Sequence, residues 1–275
     1  MKFSLSQLAW NSPADDDRVL LLLSKLGYQG VEVVSGFFNK NTSQNSIDFL
    51  AAKDKAHHWL EKYQLIIPSI QSIWFGQTAN IFTSDEDRFK LQQATRNIID
   101  FARAIDCHNL VFGCPTQRAY KDDQYSAFET EKVFISFLQQ ILPDLSKANI
   151  NLNLEPNPVV YKTNFLNSVG ETVSLIKKID HPNIGLNFDL AAVIDAGENI
   201  NEFDFLALKP YLNHVHLSAL YLKPLDIPNT DIEILMKKLK NIDYQNFISL
   251  EMKPTNNIGE LENILAYVKN FADFT

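Results

Sequence analysis

Cysteine is nearly absent from this 275-residue chain, Cys107 and Cys114 being the only two. Two isolated thiols make neither a disulfide framework nor a cysteine-ligated metal module. Long apolar runs are missing as well. The longest leucine run, Leu20 to Leu23, falls far short of the roughly 20 residues that span a bilayer. The opening stretch, MKFSLSQLAWNSPADDD, has no apolar core followed by a small-residue cleavage site, so a signal peptide is not expected and a cytoplasmic protein is. Positive charge is in deficit: 25 Lys and Arg stand against 33 Asp and Glu, for a formal net charge of −8. A nucleic-acid groove normally needs a basic face, so neither nucleic acid nor membrane is an expected partner. No Gly/Ser/Pro-rich stretch or charge block divides the chain, which predicts one domain over residues 1–275. A Gly-rich dinucleotide turn is also lacking, since the first strand runs into Asn-Ser-Pro-Ala.

What the chain does have is regular alternation of short β-type runs with amphipathic stretches. The strands predicted are Phe3–Leu8, Gly30–Val34, Ile66–Ile73, Asn109–Cys114, Ile150–Glu155, Ile184–Asp189, His214–Ser218 and Phe247–Met252. The first helix should open at Ser12 as N-cap, with Pro13 and three aspartates in its first turn, and close at Gly27. A second starts at Ser84 and sets Ala94, Ile98, Phe101, Ala102 and Ile105 on one face. The last repeats that spacing with Leu261, Ile264, Leu265, Val268 and Phe271. Eight strands alternating with helices over roughly 250 residues predict a (β/α)8 TIM barrel in preference to an open doubly wound sheet.

In such a barrel the chemistry sits at the C-terminal ends of the strands. The fifth strand ends in Glu155, the sixth in Asp189, the seventh carries His216 and the eighth ends in Glu251. Two residues earlier, on the same face, stand Asn153, Asn187, His214 and Ser249. Alone, a strand-end carboxylate caps a loop or pairs with Arg or Lys. Three converging without a cation would raise one another's pKa. With one imidazole they form a hard, mostly oxygen-donor set suited to a single divalent ion. Mn²⁺ or Mg²⁺ is the expected ion, with Zn²⁺ or Co²⁺ as alternatives.

The segments GYQGVEVV, SIQSIWFG, LVFGCPTQR, LEPNP, GLNFDLAAV, HVHLSALYLKPL and SLEM together resemble the xylose isomerase-like TIM-barrel superfamily, in its sugar isomerase and epimerase branch. The resemblance runs over essentially the whole chain. It implies, as in the ketose 3-epimerases, a divalent metal held by Glu155, Asp189, His216 and Glu251, with Glu155 and Glu251 as the acid/base pair. The chain departs from that pattern at three places. Ala192 stands where a His follows the metal Asp, Leu222 and Lys223 where an Arg follows the metal His, and Ala219 where an acidic residue is expected.

The chemistry anticipated is isomerisation or epimerisation of a small sugar or sugar derivative. Two carboxylates exchange protons with a carbon beside a carbonyl, and a metal stabilises the enediolate charge. Substrate-binding candidates are Glu32, Gln71, Arg118, Asn157, Asn187, Lys223 and Trp10, with Gln117 and Trp74 as further contacts. Glu32 is expected to meet a sugar hydroxyl or a lysine, and Arg118 a substrate acid or phosphate or a surface partner such as Asp122. A metal-dependent dehydratase and a non-catalytic sugar-binding barrel remain open, and a homodimer is one option for the assembly. The abasic-site endonuclease branch is set aside, because strands three and four lack its extra histidines.

Overall fold

Eight parallel strands close into a barrel in strand order β1 to β8, as a computed structural model shows it. The structure describes all residues except 11, 39–47, 122–123 and 274–275. The strands are β1 (Lys2–Ser6), β2 (Gly30–Val34), β3 (Ile70–Gln71), β4 (Asn109–Phe112), β5 (Asn151–Leu154), β6 (Ile184–Asp189), β7 (Leu212–Ser218) and β8 (Phe247–Glu251). Between them run α1 (Asp16–Lys25), α2 (Ser35–Phe38), α3 (Phe49–Tyr63), α4 (Asp85–Ala104), α5 (Ala127–Gln139), α6 (Leu142–Ala148) and α7 (Val169–Ile179). The outer layer is completed by α8 (Leu190–Asp195), α9 (Phe205–Leu208), α10 (Thr230–Asn241) and α11 (Ile258–Asp273). The chain thus folds as the predicted (β/α)8 TIM barrel.

Side-chain alternation produces two shells. Leu152, Leu154, Leu186, Phe188, Val215, Leu217, Ile248 and Leu250 point at the helices and are fully buried. Burying each side chain of this kind contributes about 1.5–3 kcal/mol of transfer free energy. The opposite face of the same strands is polar, which is what an interior carrying a site requires.

Local signals explain most helix starts. The Ser84 hydroxyl accepts from the Asp87 amide at 3.1 Å, and Asp85, Glu86 and Asp87 complement the helix dipole. At the first helix the expectation needs adjustment. Ser12 caps a 3₁₀ turn, Pro13–Asp15, and α1 begins only at Asp16, so the three aspartates straddle two elements.

The third strand is much shorter than its apolar run suggested. Pro68 has no N–H to give to a ladder. Pairing is therefore confined to Ile70 and Gln71, with an isolated bridge from Gly30 to Ile66. A second irregularity matters for register. Between β6 and β7 the pairing passes from Leu186 with Leu212 to Asn187 with His214, a bulge that leaves Asn213 extra. The Asn213 amide donates to Asn153 Oδ1 at 3.0 Å through space that a side chain at Gly185 would fill. A Cβ there would stand 2.1 Å from Asn213 Nδ2, so glycine is required. Beyond the bulge, Asp189 pairs with His216 and Ser218 with Glu251, aligning the ends of β6, β7 and β8.

A candidate metal centre at the barrel mouth

The ends of β5 to β8 bring Glu155, Asp189, His216 and Glu251 together, with one ligand atom of each lying within 4.8 Å of all the others. His216 Nδ1 stands 2.8 Å from Glu155 Oε1, 3.5 Å from Glu251 Oε2 and 4.0 Å from Asp189 Oδ2. Although fully enclosed, that nitrogen has no hydrogen-bond partner. An ion with ligand bonds of about 2.0–2.6 Å has its ligand atoms up to about 4–5 Å apart, which these separations match.

Two of the three carboxylates are held by hydrogen bonds. Glu155 Oε1 accepts from Asn187 Nδ2 at 2.6 Å and Oε2 from Asn157 Nδ2 at 3.0 Å. Asp189 Oδ1 accepts the Ala192 amide at 2.6 Å and so caps α8, while Oδ2 accepts the Ser218 hydroxyl at 2.5 Å. Gly113, just beyond β4, gives Glu155 room: a Cβ on it would be 2.5 Å from Glu155 Oε2.

The carboxylates also act on one another electrostatically. Burial, with the carboxylates of Glu155 and Glu251, pushes Asp189 up to about 7. Burial also lifts Glu251 above the usual carboxylate range, with His216 offsetting part of the effect. For His216, burial disfavours the imidazolium, but Glu32, Glu251 and Glu155 outweigh it and raise the ring well above its ordinary value. Three oxygen donors, one orphaned imidazole nitrogen and mutual repulsion fit a hard divalent ion.

The remaining candidates fall into two groups. Asn157 and Asn187 turn one amide end to Glu155, while the Oδ1 of each is buried without a partner. Gln71, at the end of β3, is buried with neither amide atom bonded. Trp10 donates to Asp16 at 2.7 Å and lines a mouth cavity of about 360 Å³ with Gln7, Phe37, Leu222 and Lys253. Lys223 is exposed on the loop after β7.

Glu32 and Arg118 sit elsewhere than expected. Glu32 is fully buried, and its contacts are Ser69, His214 and His216, with no lysine among them. Arg118 is not on the surface but fully buried, donating from Nη2 to Leu166 O at 3.3 Å, with Nε and Nη1 unpartnered. Asp122, its anticipated partner, lies outside the described residues. Gln117 donates to Gln77 O at 2.8 Å. Trp74 packs edge-on against Phe112 and Phe137 and donates to Thr95, so it faces the helices rather than the mouth.

Some site residues escaped the sequence reading. Ser218 continues the 214–216–218 alternation and was visible by parity. Tyr161 was not. Its hydroxyl accepts the Tyr221 amide at 2.8 Å, and burial, with Asp189 and Glu251 nearby, raises its pKa. It pins the loop after β7, where Tyr221 and Leu222 both hold positive φ, to the loop after β5. Strain of that kind is costly for residues other than glycine and clusters at functional sites.

A family profile described as xylose isomerase-like TIM barrel matches residues 20–270. A putative hydroxypyruvate isomerase of Xenopus laevis is 25% identical, with 98% of this chain and 97% of that protein covered. A protein of the same description from Danio rerio is 22% identical, and there the chain spans only 63% of its relative's length and 63% of its own. Among solved structures, the apo form of 3-keto-D-glucoside 4-epimerase from E. coli superposes with a TM-score of 0.77. Identity is 14%, covering 98% of this chain and 99% of that one, a likeness of fold. Among the described residues no helix is long and apolar enough to cross a membrane.

Proposed function

The chain belongs to the xylose isomerase-like TIM-barrel family, and from that premise we propose that it isomerises or epimerises a small sugar or sugar derivative by moving a proton at the carbon beside a carbonyl. The observation that carries this reading is the convergence of Glu155, Asp189, His216 and Glu251 within 4.8 Å around the unpartnered His216 Nδ1. Those four residues would hold one divalent ion, Mn²⁺ or Mg²⁺ by donor hardness. Such an ion supplies positive charge where negative charge develops on the substrate oxygens.

The chain's own groups divide the remaining work. Glu155 directly follows β5 and Glu251 ends β8, so the two carboxylates reach the mouth from different strands. One carboxylate takes the proton from the substrate carbon and the other returns one to the opposite face. Glu155 is the base in the direction considered, because two amide donors hold its anionic oxygens in place. Glu251, reaching in from β8, is the partner acid. In the reverse direction the roles exchange. Asp189, tied to Ser218 and the α8 amide, serves as a fixed ligand.

Substrate contacts are assigned to Gln71, whose two unbonded amide atoms need hydroxyl partners, and to Trp10, which offers an apolar wall. Lys223 stands at the rim for an anionic substituent. Arg118, buried with Nε and Nη1 unpartnered, is assigned to a substrate acid or phosphate.

The test is incubation of Mn²⁺-loaded protein with ketoses, aldoses and their acids and phosphates in D₂O. Deuterium should appear at a carbon next to the carbonyl and vanish in Glu155→Gln. Deuterium accompanied by loss of water would make the protein a dehydratase. Ligands that saturate without any exchange would make it a binding barrel.

A further inference from the structure

Beneath the mouth lies a second group of side chains, Glu32, His214 and His216, fully enclosed and joined to the ion site through His216 alone. A buried carboxylate without partners is costly, yet Glu32 Oε2 is well served. It accepts the Ser69 hydroxyl at 2.6 Å and His216 Nε2 at 3.1 Å, and His214 Nε2 stands 3.1 Å away. His214 in turn bonds Ser249 Oγ at 2.9 Å, and Ser249 shares a 2.6 Å hydrogen bond with Ser4. The two imidazoles meet edge to face with centroids 5.3 Å apart.

Proton bookkeeping gives this network a direction. An ionised carboxylate only accepts, so the His216 nitrogen facing Glu32 must be the N–H. A neutral imidazole carries one N–H, which leaves a lone pair on the other nitrogen. That other nitrogen is Nδ1, the atom 2.8 Å from Glu155 and 3.5 Å from Glu251. We propose that Glu32 is a positioning residue that locks His216 in its Nε2–H tautomer, so that the Nδ1 lone pair is aimed into the four-residue site when an ion arrives. Glu32 acts through His216, its Oε2 being taken up by Ser69, His214 and His216. The inference rests on the ion-site reading above.

The same three side chains could instead be taken for a second ion site. Two features oppose that. Ser69 already donates to Oε2, and only one carboxylate is present to balance an ion in a fully buried place.

The test uses full-length protein with ¹⁵N-labelled histidine. In Zn²⁺-loaded wild-type protein, two-bond ¹H–¹⁵N correlations should show His216 protonated at Nε2, with Nδ1 the nitrogen that shifts on Zn²⁺ addition. Zn²⁺ titration by calorimetry should give one site, and Glu32→Gln should weaken it by about 10- to 100-fold, the usual cost of losing the partner behind a ligand histidine. Circular dichroism checks that the variant is folded, and the wild-type spectra decide the tautomer even if it is not. A wild-type ring that binds Zn²⁺ through Nε2, a stoichiometry of two, or a folded Glu32→Gln protein with unchanged affinity overturns the proposal. Absence of any Zn²⁺ binding by the wild type overturns the ion-site reading together with it, whereas unchanged affinity in Glu32→Gln removes the positioning role alone.

Discussion

Asn187 Nδ2 donates to Glu155 Oε1 at 2.6 Å, from one strand to the next, inside a fully enclosed barrel interior. The bond aims the carboxylate that the proposed reaction uses as its base. A hydrogen bond to a charged group contributes about 1.5–3 kcal/mol. Replacing Asn187 with Ala should therefore slow deuterium exchange roughly ten- to a hundredfold, measured as kcat at saturating substrate. An unchanged rate would mean that Glu155 is held by Asn157 alone.

Gly113→Ala adds a methyl only 2.5 Å from the place Glu155 Oε2 now occupies. The backbone there is not in the left-handed region, so the cost is steric displacement and not strain. Misplacing a reacting group by about 1 Å can cost on the order of a hundredfold. Steady-state kinetics should show that loss in a protein whose circular dichroism matches wild type. Wild-type kinetics from the variant would place Glu155 outside the mechanism.

The candidate ligands on β5 to β8 were legible because period-2 alternation lines residues 153, 155, 187, 189, 214 and 216 along one face, and strand ends are marked by the Pro and loop residues that follow. Glu32 was expected at the end of the second strand, whereas it lies in the middle of β2, and its partner was not legible. Its contact with His216 spans 184 positions in the chain and exists only because the barrel closes. Arg118 looked like a surface residue in a polar loop, and its burial depends on the packing of the Leu166 segment over it. The shortened third strand could have been read from Pro68, whereas the β7 bulge at Asn213 has no local signature.

Ion binding should be coupled to proton release. Asp189, pushed up to about 7, and His216, raised above its usual value, both hold protons in the ion-free protein. Their folded-state values exceed their unfolded ones, so each contributes stability that is present at low pH and lost as pH rises through the folded value. A divalent ion displaces those protons, and its affinity rises with pH through about 6–8. The gap in Tm between loaded and ion-free protein should widen over the same range. Calorimetry in buffers of different ionisation enthalpy reads the protons directly, and an affinity independent of pH would contradict the assignment.

Asp189→Asn and Glu251→Gln should separate ligand from acid. The first replaces an anionic ligand with a poorer neutral one and should lower ion affinity and turnover together. The second should retain more of the ion while losing proton transfer, because an amide cannot carry the proton. Unchanged turnover in Glu251→Gln would remove that residue from the mechanism.

Whether one divalent ion sits among the four strand-end residues is tested most directly by anomalous diffraction from crystals grown with Mn²⁺. A single strong peak per chain is expected, within about 2.0–2.6 Å of Glu155, Asp189, His216 Nδ1 and Glu251. No peak at that place, or a peak between Glu32 and His214, would contradict the proposed site.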